Sequence, residues 1–130
     1  MPGRSASPAK RRRGSVPLLR ISTAKQVAAE DQEKLLTDAS ALVAEGVGKP
    51  EGYVMTQFER LETMTFGGSA DPACFLQLKS IGLPESKTKE LSATLCGFVE
   101  ERLGVPSSRV YIEFVDAPRT MWGFNGSPFG

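Results

Sequence analysis

The chain has 130 residues, 40% of them hydrophobic, which is the length and composition of one ordinary globular domain. It contains no histidine, which excludes a Ser-His-Asp or Cys-His mechanism and argues strongly against a zinc site. The two cysteines, Cys74 and Cys96, match no metal or redox spacing, and we expect buried thiols in a reducing compartment. We therefore expect neither a metal nor another cofactor.

Charge is distributed unevenly along the chain. Residues 1–16 contain five basic side chains and no acidic one, and we predict a disordered leader there. Residues 17–130 hold the remaining 11 basic and all 15 acidic side chains, and we predict that they form the folded domain. This acidic body argues against a nucleic-acid surface, and no apolar run is long enough for a membrane span. We expect a cytoplasmic protein, although the basic leader is also compatible with an organelle or the nucleus.

The first half of the domain predicts a strand, a helix and a second strand. Residues 18–23 form a short apolar strand candidate. A helix is predicted from about Ala28 to Val47, because its apolar residues recur on one helical face. Glycines and Pro50 then end the helix, and residues 53–58 are predicted to be the second strand.

The second half repeats this plan. Residues 73–81 predict a strand, and residues 86–103 predict a helix with apolar side chains on one face. Residues 109–116 alternate between apolar and other side chains, as expected for a strand with one buried face. The predicted fold is therefore α+β, with two β-α-β repeats forming a four-stranded sheet and both helices on one face.

The second face of this sheet has no predicted cover within the chain. We expect that face to carry apolar side chains such as Leu18, Tyr111 and either Met55 or Val54. An apolar face of that size would not remain in water, so the sequence predicts self-association.

Five short motifs carry a resemblance to a known family. They are GKPEGYVM at residues 48–55, FGGSADP at 66–72, SIG at 80–82, RVYI at 109–112 and WGFNG at 122–126. Each motif is weak alone, but their order and spacing over residues 17–130 resemble the macrophage migration inhibitory factor family of the tautomerase superfamily.

This resemblance implies a homotrimer with an active site at each subunit boundary, where keto and enol forms of aromatic 2-oxo acids such as phenylpyruvate interconvert. Pro17 would be the base, Lys49 and the Ile81 N–H would bind the substrate carboxylate, and Tyr111 would come from a neighbouring subunit. The apolar walls would be formed by Tyr53, Trp122, Phe124 and Phe129. The family also contains cytokine-like members, which implies a possible protein receptor and compatibility with unconventional secretion.

A free proline amine would suit this chemistry. α-Amines titrate near pH 7.7–8.0, and an apolar pocket beside the Lys49 cation would lower the pKa further, giving a base poised near neutrality. In this sequence, however, Pro17 follows Val16, and an amide nitrogen is not basic.

Three alternatives follow for the base. The leader is cleaved after Val16 and frees Pro17; or the leader stays and the protein is a weak or inactive member that works by binding ligands or proteins; or Met1 is removed and Pro2 folds back as a substitute.

Two positions depart from the family pattern. Glu113 stands where an amide often lines the pocket, and its carboxylate is expected to repel an anionic substrate or to pair with Lys49. After Ile81 the loop lacks the family's usual second glycine, so the backbone near this donor is expected to differ.

Overall fold

The computed structural model describes residues 16–129. The predicted leader therefore lies outside the described residues, apart from Val16, which is half-buried. The chain forms strand β1 (Leu18–Thr23), helix α1 (Ala29–Val47), β2 (Met55–Arg60), β3 (Cys74–Ile81), α2 (Thr88–Leu103) and β4 (Val110–Ala117), followed by a small hairpin of β5 (Gly123–Phe124) and β6 (Ser127–Pro128). This order confirms the two β-α-β repeats.

The predicted boundaries differ from the observed ones where short 3-10 turns precede the regular elements. Tyr53 belongs to the turn Glu51–Tyr53, so β2 begins two residues later than expected. The turn Glu85–Lys87 similarly delays α2 to Thr88. In both cases a proline at the preceding position favours a tight turn over an immediate regular element.

The four long strands form one mixed sheet in the order β2-β1-β3-β4. Strand β1 pairs in parallel with β2 and antiparallel with β3, and β3 pairs in parallel with β4. Each β-α-β unit therefore contributes one parallel pair, and the two units meet at the central antiparallel pair.

The helices cover one face of this sheet and enclose the core. Each helix buries residues spaced by about four, as predicted from the apolar periodicity. They pack against buried side chains that alternate along the two central strands. The core includes Leu35, Ala39, Val43, Leu91, Leu95 and Val99 from the helices and Leu19, Ile21, Leu76 and Leu78 from the strands.

The open face of the sheet is more polar than the sequence led us to expect. A row of side chains crosses it: Arg20 donates to Gln57 (3.1 Å) and to Gln77 (3.3 Å), and Gln77 donates to Glu113 (2.8 Å). The prediction of a large apolar patch is therefore wrong, because this ladder separates Leu18 and Met55 from Tyr111.

Candidate functional site

Pro17 lies at the end of the sheet where β1 begins. Its side chain is buried, and its carbonyl accepts a hydrogen bond from the N–H of Met55 at 3.0 Å. Leu18 pairs with Lys79, so extending this antiparallel register by one residue places Pro17 beside Ser80. Pro17 therefore shares one end of the sheet with the start of β2 and the end of β3.

Lys49 reaches this end from the C-terminus of α1. Gly48 adopts a left-handed φ of 72°, and the Lys49 N–H then donates to the Ala44 carbonyl at 3.0 Å. This hydrogen-bonded cap fixes the point at which the chain leaves the helix for the Glu51–Tyr53 turn and β2. The side chain of Lys49 is half-buried.

Three of the predicted wall residues pack together beside the same end. The Tyr53 ring meets the Phe124 ring edge-on, with centroids 5.9 Å apart. Phe124 stacks on Phe129 at 5.5 Å, and Phe129 is buried. Trp122 is half-buried, and its carbonyl accepts the Phe129 N–H at 3.0 Å, which closes the C-terminal hairpin. The hairpin therefore adds its aromatic rings to that of Tyr53, which lies two residues before Met55, the hydrogen-bond partner of Pro17.

Ile81 ends β3 and is followed by a tightly held turn. The Asp116 Oδ1 accepts hydrogen bonds from the Gly82 N–H at 2.8 Å and from the Leu83 N–H at 3.1 Å. Gly82 has a φ of 73°, a conformation that favours glycine. Gly82 and the Asp116 carboxylate therefore define the backbone after Ile81. This is the loop in which the sequence lacks the family's usual second glycine.

Tyr111 lies at the opposite end of the sheet. It pairs with Phe75, whereas Ala117 pairs with Ile81 six residues further along β3. At roughly 3.3 Å per residue, about 20 Å of strand separates these two positions. One chain therefore does not bring Tyr111 to Pro17, and only another copy of the chain could complete a site that contains both.

The surroundings of Tyr111 form a small apolar wall. Its ring lies 4.8 Å from the ring of Phe66, measured between centroids. Both side chains line a cavity of about 290 Å³, together with Met64, Thr65, Gly67, Ala73, Cys74 and Phe75. Two-thirds of the surface of Tyr111 is exposed, so its ring is available to a neighbouring molecule.

Arg109 holds the loop that carries Phe66. Its guanidinium donates to the backbone carbonyls of Phe66 (3.2 Å), Pro72 (2.9 Å), Ser69 (3.0 Å) and Asp71 (3.0 Å). The guanidinium also lies 5.2 Å from the centroid of the Phe66 ring. One side chain thereby joins the start of β4 to the whole 66–72 loop.

Glu113 lies on the open face near the middle of β4. Its carboxylate accepts the hydrogen bond from Gln77 that ends the polar ladder. Its register partner on β3 is Gln77, four residues before Ile81. This position places Glu113 two residues after Tyr111 on the same face of β4 and away from the Pro17 end, and its carboxylate takes part in the hydrogen-bonded row on the open face.

Both cysteine thiols have a raised pKa, which disfavours the reactive thiolate at neutral pH. Burial raises the pKa of the Cys74 thiol to about 12, with a smaller contribution from Cys96. Desolvation also raises the pKa of Cys96, against a hydrogen bond with Ser107 that lowers it. Within residues 16–129, no group of three or more His, Cys, Asp or Glu side chains could hold a metal ion. In the same range no helix has the length and apolar character of a membrane span.

Two residues in this arrangement had not been predicted as functional: Arg109 and Asp116. Both appear in the sequence as ordinary strand-end residues. Their partners are backbone carbonyls and backbone N–H groups, which leave no signature in the sequence. The one signal in the sequence was their position, because Arg109 precedes the apolar-rich strand β4 and Asp116 lies near its end.

Solved structures with this architecture define its class. The macrophage migration inhibitory factor homologue of Prochlorococcus marinus superposes with a TM-score of 0.81 and 43% identity, over 87% of this chain and 99% of that one. The macrophage migration inhibitory factor of Trichinella spiralis superposes with a TM-score of 0.78 and 34% identity, over 85% of this chain and 98% of that one. A protein whose structure was solved after inactivation by 2-oxo-3-pentynoate superposes with a TM-score of 0.78 and 25% identity, over 86% of this chain and 95% of that one. The fold is the tautomerase fold that these proteins share.

Sequence relatives agree with this class. The sequence model of the macrophage migration inhibitory factor family matches residues 16–130. The homologue from Brugia malayi is 43% identical over 96 residues, which span 73% of this chain and 84% of that protein. The macrophage migration inhibitory factor of Xenopus tropicalis is 36% identical over 98 residues, which span 75% of this chain and 85% of that protein. The chain belongs to the macrophage migration inhibitory factor family.

Proposed function

We propose that this chain, when Pro17 is its first residue, is a tautomerase that interconverts keto and enol forms of aromatic 2-oxo acids such as phenylpyruvate. The observation that carries the proposal is the gathering of Pro17, Ile81 and the Lys49–Tyr53 segment at one end of the sheet, beside an aromatic hairpin. Inactivation of a structural relative by 2-oxo-3-pentynoate supports a substrate of the 2-oxo acid class.

Each group has a role that follows from its chemistry. The secondary amine of a free Pro17 removes the proton on the carbon next to the keto group and later returns it. Its burial disfavours the protonated amine and so favours the base. The Lys49 ammonium and the Ile81 N–H hold the substrate carboxylate, and the aromatic hairpin contacts the substrate ring. No metal or cofactor enters the reaction.

The proposal includes a homotrimer. Tyr111 lies about 20 Å along the sheet from Ile81, so a site that uses its ring must take it from a neighbouring copy. Its exposure and its contact with Phe66 suit a wall presented across a subunit boundary. A chain that remains monomeric would lack this wall.

The test compares two proteins that differ by one residue. One chain begins at Pro17, and the other carries a single alanine before Pro17, which converts the amine to an amide. The first is expected to enolise phenylpyruvate at least ~100-fold faster, the lower end of what a positioned base contributes. Equal rates in the two chains would refute the assignment of Pro17 as the base.

The second candidate function is binding without turnover. When Val16 remains attached, the Pro17 nitrogen is an amide and supplies no base, yet the carboxylate-binding and aromatic groups persist. Met121 and Phe124 are 78% and 52% exposed, which offers an apolar surface to a protein receptor. Phenylpyruvate binding by the full chain, without turnover, would favour this function, and turnover by the full chain would exclude it.

A further inference from the structure

The turn after Ile81 depends on a carboxylate from the neighbouring strand. Asp116 pairs with Ser80 in the β3–β4 register, and its side chain reaches past the end of β3. There, one oxygen accepts the N–H groups of both Gly82 and Leu83, at 2.8 and 3.1 Å. Hydrogen bonds donated to a carboxylate are about twice as strong as those between neutral groups, so this contact holds the turn firmly.

Buried side chains fix the backbone on both sides of the turn. Ser80 and Ile81 are almost fully buried before it, and Leu83 is buried after it. Gly82 alone is exposed, in a left-handed conformation. The backbone on the carbonyl side of Ile81 is therefore held by Asp116, and the backbone on its amide side is fixed by the burial of Ser80 and Ile81.

We infer that Asp116 is a positioning residue for the substrate carboxylate. This inference rests on the proposed function, which assigns the Ile81 N–H as a carboxylate donor. Because Asp116 occupies the Gly82 and Leu83 N–H groups, a substrate carboxylate at this edge is received by Ile81 and by Lys49. Asp116 itself does not touch the substrate; it acts by holding the turn in the orientation that presents Ile81.

The experiment uses the full chain and measures binding, so that it does not depend on a free Pro17. Phenylpyruvate and its methyl ester are titrated by NMR, following the Ile81 amide, and hydrogen exchange of the Gly82 and Leu83 amides is recorded in the same samples. The variants are Asp116→Ala, which removes the acceptor, and Asp116→Asn, which retains an acceptor oxygen. Glu101→Ala, on an exposed position of α2, is the control for loss of one acid.

Asp116→Ala is expected to speed exchange of both turn amides and to weaken phenylpyruvate binding roughly tenfold. Asp116→Asn should stay within about threefold of the unmodified chain, because it can still accept both N–H groups. Binding of the methyl ester should change by less than about threefold in every variant, because the ester lacks the carboxylate that the turn receives.

Three outcomes would overturn the inference in distinguishable ways. If the unmodified chain binds phenylpyruvate but Asp116→Ala binds it equally well, the positioning role is wrong and the proposed function stands. If acid and ester weaken equally, Asp116 has only a general structural role and the positioning claim is also wrong. If phenylpyruvate leaves the Ile81 amide unchanged both in the full chain and in the chain that begins at Pro17, the proposed carboxylate site fails and the role of Asp116 fails with it.

Discussion

Replacing the half-buried Arg109 with methionine should destabilise the domain more than replacing any exposed charged residue. The variant keeps an apolar stem but removes the guanidinium that donates to four backbone carbonyls between Phe66 and Pro72. It also removes the contact with the Phe66 ring. The 66–72 loop would then be joined to β4 only by its apolar contacts.

The size of the effect can be bounded from these contacts. A hydrogen bond involving a charged group contributes about 1.5–3 kcal/mol, but the four bonds share one donor group and water can reach the exposed carbonyls. We therefore expect a loss of about 3 kcal/mol in the free energy of unfolding. With an unfolding entropy of about 2.1 cal/mol/K per residue, this corresponds to a Tm lower by roughly 12 °C.

The assay is thermal unfolding followed by circular dichroism at one protein concentration, because self-association would raise the Tm by mass action. Arg60→Met, at an exposed position at the end of β2, is the matched control and should change the Tm by less than about 2 °C. The Tm of Arg109→Lys should lie between those of Arg109→Met and the control, since an ammonium cannot donate in all the directions that the planar guanidinium does. If Arg109→Met and Arg60→Met have the same Tm, the Arg109 guanidinium does not stabilise the 66–72 loop as proposed.

Three further predictions follow from burial and charge. Hydrogen bonds from Lys34 and then Arg102 lower the pKa of Asp38, so its contribution to stability is present above about pH 4 and is lost as the pH falls through the lowered pKa. Asp38→Asn should thus lower the urea midpoint at about pH 7, and this difference should shrink at about pH 3. Cys74, with a pKa raised to about 12, should resist iodoacetamide in the folded protein and be alkylated after denaturation, as read by mass spectrometry. Leu78→Ala should cost about 2–5 kcal/mol in urea unfolding, because the side chain is fully buried.

Much of the fold was predictable because its signals are local. The apolar periodicity of α1 and α2 and the alternation in residues 109–116 gave the elements and their buried faces. The polar ladder on the open face was missed for a different reason. Arg20, Gln57 and Gln77 lie on separate strands, and only the pairing register shows that they form one row.

The candidate site was predictable only in part. The family resemblance assigned Pro17, Lys49, Ile81 and Tyr111, and the structure divides these residues between the two ends of the sheet. Asp116 could not be found in this way, because its partners are main-chain N–H groups and a turn's backbone is determined by tertiary contacts.

The most direct test of the central claim is a ¹⁵N NMR titration of the Pro17 nitrogen in the chain that begins at Pro17, alongside the pH dependence of kcat/KM for phenylpyruvate. We expect a Pro17 pKa below the 7.7–8.0 typical of α-amines, and a kcat/KM that rises with pH through that same pKa. A rate profile that does not follow the Pro17 titration, or a Pro17 pKa above about 8, would contradict the claim that this buried amine is the base.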